Sequence, residues 1–126
     1  MRMQYTPRII FSVHRTDKEA SINALNHVNT AMALEHTECN PTVLYGIYNG
    51  QAEKSFMMRN TETNLGIAKK LAEYYGQESI LLIDNEGTGV LHFINGGTER
   101  LGRMRVSNVK PSGDYSQYRD EYLTFE

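Results

Sequence analysis

The stretch TVLYGIYNGQAEKSFMMR, residues 42–59, contains two runs of strand-forming residues joined by Asn49 and Gly50. Asn-Gly between such runs is the strongest short-range signal for a β-hairpin, because both residues tolerate the positive φ angles of a tight type I′ turn. The sequence therefore predicts a hairpin here, and the rest of the chain can be placed around it.

A two-residue turn also sets the register of the two strands. Gly46 then lies opposite Glu53, and Tyr48 lies diagonally beside Glu53 on the same face. The other face is apolar enough to pack on helices, and it carries Val43, Tyr45, Ile47, Ala52, Lys54, Phe56 and Met58. Because the first face combines bare backbone, a carboxylate and a phenol, we interpret it as a candidate ligand site. The alternative is a solvated surface charge beside a tyrosine that covers backbone.

The segment before the hairpin predicts a strand and a helix. Residues 8–15 are rich in β-branched and aromatic side chains, which favours a strand. Thr16 and Glu19 have the spacing of a capping box, so a helix is expected to start there and to end before Pro41. Its apolar stripe at helical spacing consists of Ile22, Leu25, Val28 or Asn29, and Met32.

The segment after the hairpin predicts a second helix and further strands. Residues 60–63 supply possible N-caps, and Gly76 stands where a left-handed residue would end the helix. The short apolar run 79–84 predicts a buried strand. Two more strands are predicted, at residues 90–94 and 100–106.

The order of these elements is strand, helix, strand, strand, helix, strand, followed by extra C-terminal strands. It predicts an α+β fold of the ferredoxin-like type, an antiparallel sheet with two helices on one face. The uncovered face would carry Glu53 and Tyr48. It must therefore bind a ligand, contact other subunits or remain exposed to solvent. We expect residues 1–126 to form a single domain. The tail, residues 108–126, is too aromatic for a free linker and is expected to dock on its own or a neighbouring subunit.

The composition narrows the class of protein. The chain has 126 residues, of which 40% are hydrophobic and 22% charged, as in ordinary globular proteins. A net charge of −2 gives no basic footprint for a nucleic-acid backbone, and the lone Cys39 suits a reducing cytoplasm. No apolar run approaches the ~20 residues that span a bilayer, and residues 1–8 lack a signal-peptide core. The sequence therefore predicts a cytoplasmic protein without nucleic-acid or membrane partners.

Signals for metal or cofactor chemistry are weak. The segment 87–89, Gly-Thr-Gly, has no strand-to-helix phosphate signature. The histidines have no metal-ligand spacing; they are His14, His27, His36 and His92. We therefore expect neither a metal nor a cofactor.

Short sequence words that point to one family are spread over most of the chain, from about Phe11 to Met104. They are Leu44-Tyr45-Gly46, Glu53 soon after it, Ala68 with Leu71-Ala72, the apolar run 80–83, and Gly89-Val90 followed by Gly97, Glu99, Arg100 and Leu101. In these short motifs and in the order of its predicted elements, the chain resembles the SAMases, small bacteriophage enzymes that degrade S-adenosylmethionine. These enzymes were long described as hydrolases and later as lyases.

The resemblance implies a PII-like version of the predicted fold, a homotrimer with active sites between subunits, and one catalytic Tyr and Glu. Glu53 matches the Glu. The motif points to Tyr45, whereas the hairpin register puts Tyr48 on the face of Glu53. Since a bulge or a longer loop would reverse the parity, both tyrosines remain candidates. Candidate substrate contacts are Gly46, Ser55, His92, Phe93, Leu101 and Gly102.

The implied reaction needs few catalytic groups from the protein, because the substrate carries its own leaving group and nucleophile. The sulfonium of S-adenosylmethionine leaves as a neutral thioether, and the substrate carboxylate can close a lactone, giving 5′-methylthioadenosine and L-homoserine lactone. Glu53 would anchor the α-ammonium, and a tyrosine hydroxyl would bind the amino-acid moiety. In a hydrolase Glu53 would instead activate water and yield homoserine.

The role that the resemblance implies is anti-restriction, by depletion of S-adenosylmethionine in the cytoplasm of the phage's host. Two alternatives are not enzymes. One is a non-catalytic PII-like trimer that binds an adenine nucleotide, although its long loop between the second and third strands is missing here. The other is a phage interaction protein that uses the exposed sheet face and the tail.

Overall fold

The computed structural model describes residues 6–126, which form eight strands and two helices. The strands are Arg8–Phe11 (β1), Thr42–Tyr48 (β2), Gln51–Arg59 (β3), Ser79–Ile83 (β4), Thr88–Phe93 (β5), Thr98–Ser107 (β6), Tyr115–Tyr118 (β7) and Glu121–Phe125 (β8). The helices are Ala20–Glu35 (α1) and Glu62–Tyr74 (α2). Most of the stretch 1–8, which was considered for a signal peptide, lies outside the described residues.

The hairpin β2–β3 has the predicted turn and register. Asn49 and Gly50 have φ angles of 51° and 77°, as a type I′ turn requires. Gly46 pairs with Glu53, and the pairing continues along both strands without a bulge. The prediction that Tyr48 and Glu53 share a face of the hairpin is therefore confirmed.

The ends of α2 were also predicted correctly. The side chain of Thr61 accepts a hydrogen bond from the backbone N–H of Asn64 at 3.1 Å. At the other end Gly76 has a φ of 69°, and the N–H of Gln77 donates to the carbonyl of Ala72 at 2.8 Å. This is a Schellman motif, which satisfies carbonyls that the helix leaves without partners.

The start and the packing face of α1 differ from the prediction. The helix begins at Ala20, and its cap residue Glu19 makes no side-chain capping bond, so the capping box was wrong. Asn23 instead holds the incoming chain, because its amide accepts from the N–H of Arg15 and donates to the carbonyl of Arg15. The buried residues of α1 are Asn23, Thr30 and Leu34. The apolar stripe lies on the solvent side, with Ile22, Leu25, Val28 and Met32 between 41% and 56% exposed.

The sheet closes into a barrel, so the ferredoxin-like prediction, including its PII-like version, was wrong. The strand order is β1-β3-β2-β7-β8-β6-β5-β4, and β4 pairs back with β1. The tail causes the closure: residues 115–117 pair with residues 45–47 of β2, and β8 pairs with β6. Pairing both edges within the chain removes the exposed edges that an open sheet would present. The sheet face expected to be uncovered is therefore the barrel interior.

Two apolar clusters hold the barrel and helices together. Outside the barrel, Leu34 of α1 and Ala68 and Ala72 of α2 pack on β1, β3 and β4 through Ile9, Phe11, Phe56, Met58 and Ile80. Inside, Ile10, Leu44 and Ile83 form a second cluster with Met57, Leu81, Met104, Leu123 and Phe125. Neither helix in the part of the chain that the structure describes is long and apolar enough to cross a membrane.

Candidate active site

The barrel interior changes from apolar to polar along three neighbouring strands. Inward side chains recur every second residue. Toward the Asn49-Gly50 turn, Ile10 is followed by Ser12, Leu44 by Gly46 and Tyr48, and Met57 by Ser55 and Glu53. The apolar end belongs to the inner cluster, and the polar end opens into a cavity.

This barrel cavity has a volume of about 420 Å³, within the roughly 300–1,000 Å³ typical of small-molecule sites. Its polar wall contains Ser12, Tyr48, Glu53, Ser55, Asp114 and Ser116, and its apolar wall contains Leu81, Leu91, Leu101, Leu123 and Phe125. No Lys or Arg side chain of the described residues lines it. The cavity therefore combines carboxylates and hydroxyls with an apolar surface, and suits a ligand that carries positive charge.

Gly46 lies between two residues of the polar wall. It pairs with Glu53 of β3 on one side and with Ser116 of β7 on the other. The ring of Tyr48 lies over Gly46, since a Cβ built there would be 2.7 Å from ring atom Cε2. The missing side chain thus gives the phenol room, and its hydroxyl shares a hydrogen bond with the hydroxyl of Ser116.

Burial shifts the pKa of Glu53 and of Tyr48. It raises the pKa of Glu53, against the opposing effects of the Ser12 hydroxyl and of His14. Burial likewise raises the pKa of Tyr48, which the Ser116 hydroxyl opposes and the Glu53 charge reinforces. At neutral pH Tyr48 is therefore a neutral phenol, able to donate a hydrogen bond.

Tyr45 lies on the outer surface, away from the barrel cavity. Its side chain is 55% exposed, and Nζ of Lys54 lies 5.6 Å from its ring centroid. It lines a smaller outer cavity of about 270 Å³ between the hairpin and α1, together with His14 and His27. Glu53 lines both cavities, so each candidate tyrosine shares one cavity with it.

The predicted substrate contacts do not all lie together. Ser55 and Leu101 line the barrel cavity, whereas Gly46 lines the outer cavity and lies under the ring of Tyr48. His92 and Phe93 lie on β5 and line neither of the two cavities. Gly102 is buried against the backbone of the C-terminal residue, because a Cβ there would overlap the carbonyl of Glu126.

Sequence reasoning missed the cavity residues that come from outside the hairpin. Ser12 lies beyond the end of β1, and its hydroxyl donates to the carbonyl of Lys54 at 2.7 Å. Gln77, Asp114 and Ser116 also line the cavity. The available signal was the aromatic composition of the tail, which predicts docking but not which residues meet Tyr48. Among residues 6–126, no three or more His, Cys, Asp or Glu side chains lie close enough to hold a metal ion.

Comparison with known proteins identifies the family. A sequence model of the S-adenosylmethionine lyase family matches residues 9–126. The chain belongs to the S-adenosylmethionine lyase family. It is therefore an S-adenosylmethionine lyase, as the resemblance implied, and S-adenosylmethionine is its substrate. The matched region includes β7 and β8, which complete the barrel cavity. None of the curated proteins matches the chain.

Proposed function

We propose that this S-adenosylmethionine lyase forms 5′-methylthioadenosine and L-homoserine lactone by intramolecular attack. An oxygen of the substrate carboxylate forms a bond to Cγ as the bond from Cγ to sulfur breaks, and the electron pair goes to sulfur. No water, cofactor or proton transfer is needed for this step. The observation that carries the proposal is the charge of the barrel cavity, which has carboxylates in its wall and no Lys or Arg among its described lining residues.

This charge pattern favours the lactonisation in two ways. Glu53 and Asp114 attract the sulfonium and the α-ammonium of the substrate. The substrate carboxylate meets no cationic side chain in this wall, so an ion pair does not reduce its nucleophilicity. Holding it against Cγ then supplies most of the acceleration, since well-oriented intramolecular reactions reach effective molarities of about 10⁵–10⁸ M.

Each polar group has a role in this arrangement. Glu53 anchors the α-ammonium, an interaction that partial burial strengthens. The hydroxyl of Tyr48 donates to the amino-acid moiety and keeps the chain curled. The apolar wall of Leu81, Leu91 and Leu101 is available to the adenosine.

Hydrolysis to homoserine is a second candidate, favoured by one observation. A carboxyl whose pKa is raised by burial is a better general base near neutral pH, and Glu53 has such a pKa. Glu53 would then take a proton from water as the water attacks Cγ.

Isotope labelling separates the two reactions. Purified protein is incubated with S-adenosylmethionine in ¹⁸O-water, and the products are analysed promptly by mass spectrometry. The proposal expects 5′-methylthioadenosine with unlabelled homoserine lactone. Homoserine that is labelled from the first time point, with no transient lactone, would establish the hydrolase. An absence of turnover would overturn both reactions.

The phenol of Tyr48 is expected to matter more than that of Tyr45. Tyr48→Phe should lower kcat/KM by about tenfold to a hundredfold, because a hydrogen bond to a charged substrate group contributes about 1.5–3 kcal/mol. Tyr45→Phe should change it by about twofold at most, since Tyr45 does not line the barrel cavity in which this proposal places the substrate. Steady-state kinetics of the two matched variants test this, and the reverse order would move the site to the outer cavity.

We also propose the homotrimer that the resemblance implies, with active sites between subunits. The exposed apolar stripe on α1 supports self-assembly, since patches of this kind mark interaction surfaces. The outer cavity shares Glu53 with the barrel cavity and lies between the hairpin and α1, where a neighbouring subunit could cover it. Native mass spectrometry should give about three times the 14.4 kDa of one chain, and a monomer that is active at nanomolar concentration would contradict the proposal.

The proposed biological role is anti-restriction in a phage-infected cell. Its support is the resemblance to the phage enzymes together with the substrate of the family. Depleting S-adenosylmethionine in the host cytoplasm removes the methyl donor and cofactor of restriction-modification systems. Expression of the chain should lower cellular S-adenosylmethionine and raise phage plating on a restricting host, and an inactive variant should do neither.

A further inference from the structure

Ser116 on β7 contacts the candidate catalytic phenol directly. Its side chain is 3% exposed, and its hydroxyl shares a hydrogen bond with that of Tyr48. No other hydrogen bond from a described residue reaches the Tyr48 hydroxyl. The ring itself lies over Gly46, which has no side chain. The Ser116 hydroxyl is therefore the polar contact that fixes where the phenol oxygen lies.

The position of Ser116 is in turn fixed by pairing between β7 and β2. Residues 115–117 pair with residues 45–47, so that Ser116 lies directly opposite Gly46. Just before β7, the carboxylate of Asp114 accepts a hydrogen bond from the N–H of Asn49 at 2.9 Å. The hairpin turn is thus tied to the same segment, and Tyr48 lies between the two connections.

We propose that Ser116 is a positioning residue that aims the Tyr48 hydroxyl at the substrate in the barrel cavity. The inference rests on the proposed lyase function and deepens it, because it makes the C-terminal strand β7 part of the active site. A phenol has one O–H to donate. With Ser116 donating to the phenol oxygen, that O–H is available to the amino-acid moiety of the substrate. Hydrogen bonds in such a chain also polarise one another, which makes the O–H of Tyr48 a stronger donor.

A double-mutant cycle tests the positioning role. The four proteins are the wild type, Ser116→Ala, Tyr48→Phe and the double variant, each measured for kcat and KM with S-adenosylmethionine. Ser116→Ala should lower kcat about tenfold, because a misplaced catalytic group costs one to two orders of magnitude. In the Tyr48→Phe background the same change should alter kcat by less than twofold, since no hydroxyl remains to position. Thermal unfolding of all four proteins measures any structural effect separately.

The outcomes distinguish this inference from the proposed function. If the wild type is active and Ser116→Ala lowers kcat equally in the wild-type and Tyr48→Phe backgrounds, the positioning role is overturned. The proposed lyase function then still stands. A Ser116→Ala variant with unchanged kcat has the same meaning. A wild type that neither binds nor consumes S-adenosylmethionine overturns the proposed function and the positioning role together. Ser116→Thr, which keeps a hydroxyl, should recover kcat relative to Ser116→Ala if it folds, and the cycle decides without it.

Discussion

Glu53→Gln is expected to lower kcat/KM for S-adenosylmethionine by about a hundredfold or more, while the barrel stays folded. Removing one member of a partly buried charge pair costs about 2–5 kcal/mol, and Gln has the shape of Glu without its charge. The exposed Glu73 of α2 provides the matched control, so Glu73→Gln should keep full activity. A Glu53→Gln variant within threefold of the wild type would show that Glu53 does not anchor the substrate.

The ionisation of Glu53 is expected to affect activity and stability in opposite directions as the pH changes. Activity requires ionised Glu53, and burial raises the pKa of this carboxyl. Activity should therefore be lost on acidification at a higher pH than an unperturbed carboxyl would give. Stability behaves in reverse, because a folded-state pKa above the unfolded value favours the folded protein at low pH, and this contribution is lost as pH rises through the folded pKa. Glu53→Gln should thus gain thermal stability over the wild type at neutral pH, and the difference should shrink in acid.

Gly46→Ala is expected to remove the active-site geometry and to destabilise the barrel. A Cβ at this position would lie 2.6 Å from the carbonyl oxygen of Tyr115 and 2.7 Å from the Tyr48 ring. Either β7 must move away from β2 or the ring must leave its place, and overpacking of this kind costs typically about 1–3 kcal/mol. We expect a fall in the free energy of unfolding in that range and a loss of kcat/KM of at least about tenfold.

Gly66 provides the control for this substitution. It lies within α2, and a Cβ there would have no neighbour within 4 Å. Gly66→Ala should therefore raise the free energy of unfolding by roughly 0.5–1 kcal/mol, because alanine favours a helix interior, and should leave kcat/KM unchanged. Denaturant unfolding and steady-state kinetics measure both variants. If Gly46→Ala matched the wild type in both, the close approach of Tyr48 and β7 to Gly46 would be refuted.

The features that could be predicted from the sequence are those with local causes. The Asn49-Gly50 turn determined the register of the hairpin, and with it the shared face of Tyr48 and Glu53. The start of α2 lies within the segment 60–63 that was predicted to cap it, and Gly76 ends the helix as predicted. Each of these depends on residues only a few positions apart, whose conformational preferences are already present in a short peptide.

The packing face of α1 was predicted wrongly, because polar residues occupy part of the buried face. The spacing of Ile22, Leu25 and Met32 is that of a buried helix face. The face that α1 buries instead consists of Asn23, Thr30 and Leu34. Asn23 is buried because both ends of its amide bond to the backbone of Arg15. Such a partner removes the cost of burying an amide, and spacing alone does not reveal it.

The sequence by itself thus determined the family, the hairpin register and the pairing of Glu53 with a tyrosine on its own face. The tertiary structure decided that the sheet closes, that the candidate site lies inside a barrel, and that Ser116 reaches Tyr48 across 68 positions of sequence. The physical reason is that local propensities select turns and caps, whereas strand pairing between distant segments depends on the sum of all contacts made on closure. The free energy gained from these contacts must exceed the entropic cost of closing the intervening loops.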